Sequence, residues 1–304
     1  MDHVAARHQV GTDLLGDSHH AIETDAGEDG ITSGWAWAGF WFPLAGLAAL
    51  GIVFGIHRPW FYTVQQEDYP IEWSQFALCL FSSLIFGLTA ARLAIRGHRG
   101  LAVLLLLTAL GSLALTGEEI SWGQRVFGLV TPGELADVNH QAEMNVHNID
   151  VGIPSEALFK FFAFAMGLGG AALALLARRP GTPLYRTTWR LVAPPLLAIP
   201  GFLGMALYRV FILFLPIFPA VRGQEWVEVG LYTSLAITAG CCYARSTAGR
   251  FQVDLTDSQS PSRRVDPRVR VNPGPLIALG VGVLLLTIVF AIMTTQTGIR
   301  PGNI

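Results

Sequence analysis

Two glutamates stand side by side where an apolar run ends, in Gly117-Glu118-Glu119-Ile120-Ser121-Trp122-Gly123-Gln124-Arg125. Carboxylates at the edge of hydrocarbon cost roughly 2.5–3.5 kcal/mol each on insertion scales, so they are expected to turn inward and find partners. On a continuing helix Glu118, Ser121, Trp122 and Arg125 share one face, while Glu119 points to a neighbouring helix. That set suits a proton-transferring or metal-binding carboxylate beside an orienting arginine. It suits a structural ion pair at a membrane edge equally well.

A second stretch follows at Asn139-His140-Gln141-Ala142-Glu143-Met144-Asn145-Val146-His147-Asn148. Its odd positions, Asn139, Gln141, Glu143, Asn145 and His147, are all polar. Ala142, Met144 and Val146 fall on even ones. A period of two belongs to an extended segment with one polar face. The expectation is an extended or re-entrant segment over the mouth of a helical bundle, its polar side turned to Glu118 and Glu119. A third stretch, Arg222-Gly223-Gln224-Glu225-Trp226-Val227-Glu228, opens an apolar run. Glu225 and Glu228 share a helical face with Tyr232, and either glutamate can cap the helix's positive end. Arg209, about 19 residues into the preceding run, is the natural counter-ion for these carboxylates.

The elements that position these groups follow from composition. Of 304 residues, 52% are hydrophobic and only 14% charged, too few to cover a water-facing surface, where about a quarter is usual. The apolar residues cluster at about 35–56, 74–95, 101–117, 155–177, 190–215, 226–244 and 275–295. Runs near twenty residues match a hydrocarbon core of about 30 Å. The expected fold is an all-α polytopic transmembrane bundle of about seven spans, with lipid as its solvent. Trp35, Trp37, Trp41, Trp60, Tyr62, Tyr69 and Trp73 flank the first two spans as an interfacial belt would. Gly51 and Gly55 make a small-xxx-small pair that can bring a helix close. Pro194, Pro195 and Pro200 should loosen the start of the fifth span.

Arginine placement sets the orientation. With the N-terminus inside, the cytoplasmic parts hold fourteen of the twenty basic residues, clustered near 92–99, 178–190 and 245–270. The positive-inside bias therefore places the N-terminus in the cytoplasm and the C-terminus outside. Beyond the N-terminal tail, twelve acids fall on the outer side and three, Asp254, Asp257 and Asp266, on the inner. A binding site belongs on the outer face. Residues 1–34, with seven acids and one arginine, read as a disordered acidic cytoplasmic tail. Residues 35–304 are the bundle, with a structured outer loop at 117–154 and a cytoplasmic linker at 245–273. Cys79, Cys241 and Cys242 have no disulfide or zinc spacing and read as small packing residues. The lone lysine, Lys160, starts a span rather than sitting in the last one, which argues against a retinal Schiff base.

Glu-Glu-Ile-Ser-Trp-Gly-Gln-Arg at 118–125, Thr131-Pro132 with Leu135, and Asn139-x-Gln141-x-Glu143-x-Asn145-x-His147-Asn148 together resemble a family of uncharacterised bacterial polytopic membrane proteins. The resemblance covers about thirty residues and implies a multi-pass protein of the bacterial inner membrane, with no activity attached. The paired glutamates are also similar to those of glutamate-type membrane proteases that process CAAX or bacteriocin substrates. Here, however, the arginine is displaced to Arg125 and no span after residue 147 contains a histidine. The seven spans resemble the adiponectin-receptor and alkaline-ceramidase family, whose late His-x-x-x-His is missing.

Three function classes remain. The first is a membrane-embedded enzyme acting on a lipid or lipid-linked substrate. Glu118, Glu119, Glu143 and His147 would be its acid/base groups or metal ligands. Gln124, Arg125, Asn139, Gln141, Asn145, Asn148, Arg209 and Glu228 would bind the substrate, with Arg125 and Arg209 on an anionic headgroup. A carboxylate and histidine set can hold Zn, Mn or Fe, but the sequence names no cofactor. The second is a proton-coupled transporter using the same carboxylates; no carboxylate lies at mid-span and no inverted repeat is present. The third is a non-catalytic scaffold subunit that docks through its outer polar patch. The expected partner is the lipid bilayer, not nucleic acid.

Overall fold

The computed structural model describes residues 19–66, 68–139, 143–146, 149, 155–185, 188–247 and 273–297. The described residues contain no strand. A short helix, α1 (residues 19–28), precedes seven helices long and apolar enough to cross a membrane. These are α2 (Ser33–Ile56), α3 (Pro70–Ile95), α4 (Arg99–Glu119), α5 (Ser155–Leu176), α6 (Ile199–Phe214), α7 (Gln224–Thr247) and α8 (Gly274–Thr297). The fifth span begins later than hydropathy suggested. Pro194 and Pro195 are non-helical, a 3-10 turn covers Leu196–Ala198, and only then does α6 start, with Pro200 in its first turn. A proline ring has no N–H to donate and sits most easily in the first turn of a helix.

The distribution of apolar surface is the reverse of a water-soluble domain. The most apolar of the seven helices, α8, is among the least buried, and the least apolar, α7, is the most buried. Leu107, Leu110, Ile277, Leu284 and Leu285 point outward. The hydroxyls of Ser82, Ser83, Thr89, Thr116, Ser234 and Thr238 lie inside, each donating to a backbone carbonyl. In water such an arrangement would expose the wrong surface. In hydrocarbon it leaves the apolar side chains in lipid and keeps those hydroxyls hydrogen-bonded inside.

The central helix is α7, packed against α2, α3 and α6; α4 lies on α3, and α5 lies on α6. Helices α4 and α5 thus form two arms hinged on the α3–α7–α6 layer, with a cleft between them. Close approach of α6 and α7 depends on Gly201: a Cβ there would lie 2.1 Å from the Gly230 carbonyl oxygen and 2.3 Å from Ser234 Oγ. Gly51 and Gly55, whose spacing suggested a helix contact, face open space within this chain. Gly201→Ala is expected to cost about 1–3 kcal/mol as overpacking, read as a lowered Tm in detergent, with Gly51→Ala unchanged. Equal Tm values for the two variants would contradict the α6–α7 packing.

The sequence suggested a disordered tail over residues 1–34, yet residues 19–28 are helical, and residues 1–18 lie outside the described residues. The cause is electrostatic and apolar together. Ile22 and Ala26 pack against Ala36 and Leu197. Asp25 accepts from Arg178, from Arg190 (2.9 Å) and from the Leu196 N–H (2.8 Å). Asp29 takes both arms of the buried Arg245 (2.7 and 2.6 Å). Low polarity cannot foretell this, because the partners lie about 150 or more residues away. Of the linker at 245–273, residues 248–272 lie outside the described residues.

Candidate functional site

The opposite end of the bundle gathers the acids. Helix α4 runs through Glu118 and Glu119 and stops. The continuing helix expected through Arg125 does not form: Ser121 (φ 46°), Trp122 (φ 52°) and Gly123 (φ 82°) adopt left-handed backbone in succession. Non-glycine residues held there store roughly 1–3 kcal/mol each and persist only where their surroundings over-determine them. The turn folds the Trp122 indole back onto Gly117, where a Cβ would sit 2.8 Å from the ring. Trp122 Nε1 then donates to Glu118 Oε1 at 2.6 Å. Glu118 and Trp122 therefore meet as the helical spacing foretold, but through a reversal of the chain.

The other Glu118 oxygen accepts the Val146 N–H at 2.8 Å, and Gln124 Oε1 accepts the Met144 N–H at 2.8 Å. Glu118 and Gln124 thus tether the outer loop. The loop is not extended over its described residues. Glu143 and Met144 lie in a bend, and an isolated antiparallel bridge joins Asn139 to Ile149. Asn139, Glu143 and Asn145 are nonetheless all buried, and they hold one another. Asn139 Nδ2 donates to the Asn145 carbonyl and to its Oδ1 (both 2.9 Å), and Asn145 Nδ2 donates to Glu143 Oε2 (2.7 Å). The period-two pattern marked which residues turn inward, but a hydrogen-bonded knot serves that pattern as well as a strand. Gln141, His147 and Asn148, assigned to the site from sequence, lie outside the described residues, as does His140.

Glu143 has a second role. Its Oε2 also accepts from Ser121 Oγ at 2.8 Å, and its Oε1 stands 3.8 Å from Arg125. Arg125, 4% exposed, reaches Glu72 at 2.8 Å and Asp68 at 3.5 Å. It joins the start of α3 to the loop, and its carbonyl accepts from Thr297 at the end of α8 (2.8 Å). Burial raises the Asp68 carboxyl above the usual aspartate range, with Glu143 adding to the rise and Arg125 opposing it.

Glu119 points away from the loop, to α7, as expected: Tyr232 Oη donates to its Oε1 at 3.1 Å. Arg209 is the counter-ion predicted for Glu228 (3.1 Å) and also donates to Gln224 Oε1 (2.9 Å). Gln75 donates to Glu225 Oε2 (3.2 Å). Sequence reasoning missed Glu72, Gln65 and Gln75, which start α3 or lead into it. Their only signal was polarity at the same end of the bundle.

Both clusters line one cavity of about 980 Å³. Its polar end holds Glu118, Glu119, Ser121, Glu143, Arg209 and Glu228. From there it runs down the cleft between Leu104, Gly111 and Leu115 of α4 and Phe162, Met166 and Leu173 of α5, over Phe202, Leu231 and Leu235. Among the described residues no group of three or more His, Cys, Asp or Glu side chains is placed to hold a metal ion. The arrangement can position an amphipathic molecule and place a hydroxyl–carboxylate pair against its polar part. No family model, no curated protein and no solved structure matches this chain.

Proposed function

We propose that the chain is a multi-pass protein of the bacterial inner membrane, N-terminus in the cytoplasm, whose outer cavity binds a lipid or lipid-linked substrate and transfers or hydrolyses an acyl ester in it. The observation that carries this reading is the shape and chemistry of that cavity, polar at one end and apolar along a cleft between two spans. Ligand sites of this size combine apolar walls with a few convergent polar groups. The arginine bias supports the orientation, and the motif resemblance supports the bacterial membrane.

The reactive pair is Ser121 and Glu143. A hydroxyl within hydrogen-bond reach of a base that a third group orients is the general form of an activated nucleophile, and Asn145 supplies the third group. Ser121 Oγ adds to the ester carbonyl while its proton passes to Glu143. The C–O bond then breaks and the alkoxide leaves with that proton. Water or an acceptor hydroxyl releases the acyl group in the reverse sense. Glu118 and Gln124 hold the loop, and Arg125 holds Glu143.

The test is retained lipid. Protein purified in mild detergent is expected to carry a defined lipid, seen by mass spectrometry of the extract. Gly111→Phe and Gly169→Phe fill the cleft from its two walls, at positions where a Cβ meets nothing within 4 Å. Each should strip that lipid. Unchanged lipid content in both variants would sink the reading. A carrier function is favoured only by Glu119 and Glu228 facing the same cavity. It predicts proton-coupled flux in vesicles that Glu119→Gln abolishes.

A further inference from the structure

The polar end of the cavity is unevenly charged: seven glutamates line it against three arginines and one lysine. Those carboxylates are not equally provided for. Glu118 receives an indole and a backbone N–H, Glu143 receives Ser121 and Asn145, and Glu228 receives Arg209 and Gln224. Glu119 receives a neutral phenol, that of Tyr232, and no cation lies within ion-pair distance of it among the described residues. A second acceptor wants a donor as well. Gln65 lines the cavity, is 3% exposed, and has its Oε1 buried with no hydrogen-bond partner. One donor is in the opposite position. Arg209, 9% exposed and lining the same space, has its Nε buried without a partner. Unmet buried polar atoms are costly, and a ligand that meets them gains what the empty site lacks.

Resting on the lipid reading above, we propose that the headgroup this cavity takes carries a primary ammonium next to a phosphate, as an aminophospholipid does. The ammonium donates to Glu119, the phosphate accepts from Arg209 Nε, and the acyl chains lie along the α4–α5 cleft. The excess of carboxylates disfavours a purely anionic headgroup by like-charge repulsion. The expectation that Arg125 and Arg209 together clamp an anion is therefore replaced. Arg125 is held by Asp68, Glu72 and Glu143, whereas Arg209 Nε is buried without a hydrogen-bond partner.

The experiment equilibrates the full chain in detergent with equal amounts of phosphatidylethanolamine, phosphatidylcholine and phosphatidylglycerol, and measures what stays bound by native mass spectrometry. Phosphatidylethanolamine should exceed phosphatidylglycerol by about tenfold or more, the effect of one charge-assisted hydrogen bond. Phosphatidylcholine should fall between, because its quaternary ammonium has no N–H. Glu119→Gln, isosteric and uncharged, should remove most of the preference, by weakening phosphatidylethanolamine retention and by easing the repulsion that disfavours phosphatidylglycerol. Equal or greater retention of phosphatidylglycerol by the wild-type chain overturns the proposal, as does an undiminished preference in Glu119→Gln. Displacement by free phosphoethanolamine at the same concentration as lipid would make the ligand a soluble one and overturn it too. If no lipid class is retained, the lipid reading itself falls. If Glu119→Gln does not fold, the wild-type comparison still decides.

Discussion

Exposed to a lipophilic fluorophosphonate, the wild-type protein is expected to take up one covalent adduct, located by peptide mass spectrometry at Ser121. Ser121→Ala should carry none, and Glu143→Gln should react about 100-fold more slowly or worse, the range that a positioned general base contributes. The reasoning is geometric. Ser121 Oγ is 2.8 Å from Glu143 Oε2, so the hydroxyl proton already points at its acceptor, and the glutamine amide keeps the shape while losing the base. The backbone supports the same reading. Two consecutive non-glycine residues with positive φ, Ser121 and Trp122, hold the buried Ser121 in the cavity wall, at an energetic cost the fold must offset elsewhere. Asn145→Ala should reduce labelling less than Glu143→Gln, because Asn145 orients the base without touching the reacting atoms. An adduct on another residue, or full labelling of Glu143→Gln, would remove Ser121 and Glu143 from the mechanism while leaving the lipid cavity standing.

Arg125→Met should be among the most destabilising single changes in the protein. The guanidinium is 4% exposed and is the cation shared by Glu72, Asp68 and Glu143. Removing one member of a buried ion-pair set typically costs about 3–5 kcal/mol, because the remaining charges stay buried without compensation. Three carboxyl groups would then face one another. The expected result is a large fall in Tm in detergent. Arg125→Lys should recover little, since an ammonium cannot span three carboxyl groups as a planar fork does. The double variant Arg125→Met with Glu72→Gln should be markedly more stable than Arg125→Met alone, because it takes one uncompensated charge away, and a double-mutant cycle gives that coupling directly. Additive effects would show that Arg125 and Glu72 do not interact.

Several parts of the site were legible before any coordinates. The pair Glu118-Glu119 at the end of a span had to turn inward, and the two residues do so in different directions. Helical spacing sent Glu119 to a neighbouring helix, and it meets Tyr232. Its depth along the fifth span matched Arg209 to the carboxylates that open α7, and it pairs with Glu228. Polarity in alternate positions marked Asn139, Gln141, Glu143, Asn145 and His147 as one inward-facing set; Asn139, Glu143 and Asn145, the three among the described residues, are buried. These inferences rest on spacing along one helix, on depth along a span or on pattern within one short loop.

The seven helices themselves were determined by the sequence alone. A run of twenty apolar residues has one low-energy fate, a helix in hydrocarbon, whatever else the chain does. The tertiary structure decided what the runs could not specify. Hydropathy does not say that α7 is central, that α4 and α5 stand apart, or that the gap between them continues the polar end into one amphipathic cavity. Those outcomes depend on which helices can approach closely, and here Gly201 against Gly230 sets the contact while Gly51 and Gly55 do not. Nor does local pattern foretell a left-handed turn at Ser121–Gly123 or a helix at residues 19–28. The first is held by Trp122 on Gly117 and Glu118, and the second by arginines far along the chain. Local periodicity encodes what a segment is. Only contacts between distant segments encode where it goes, and in this protein the proposed chemistry lies at those contacts.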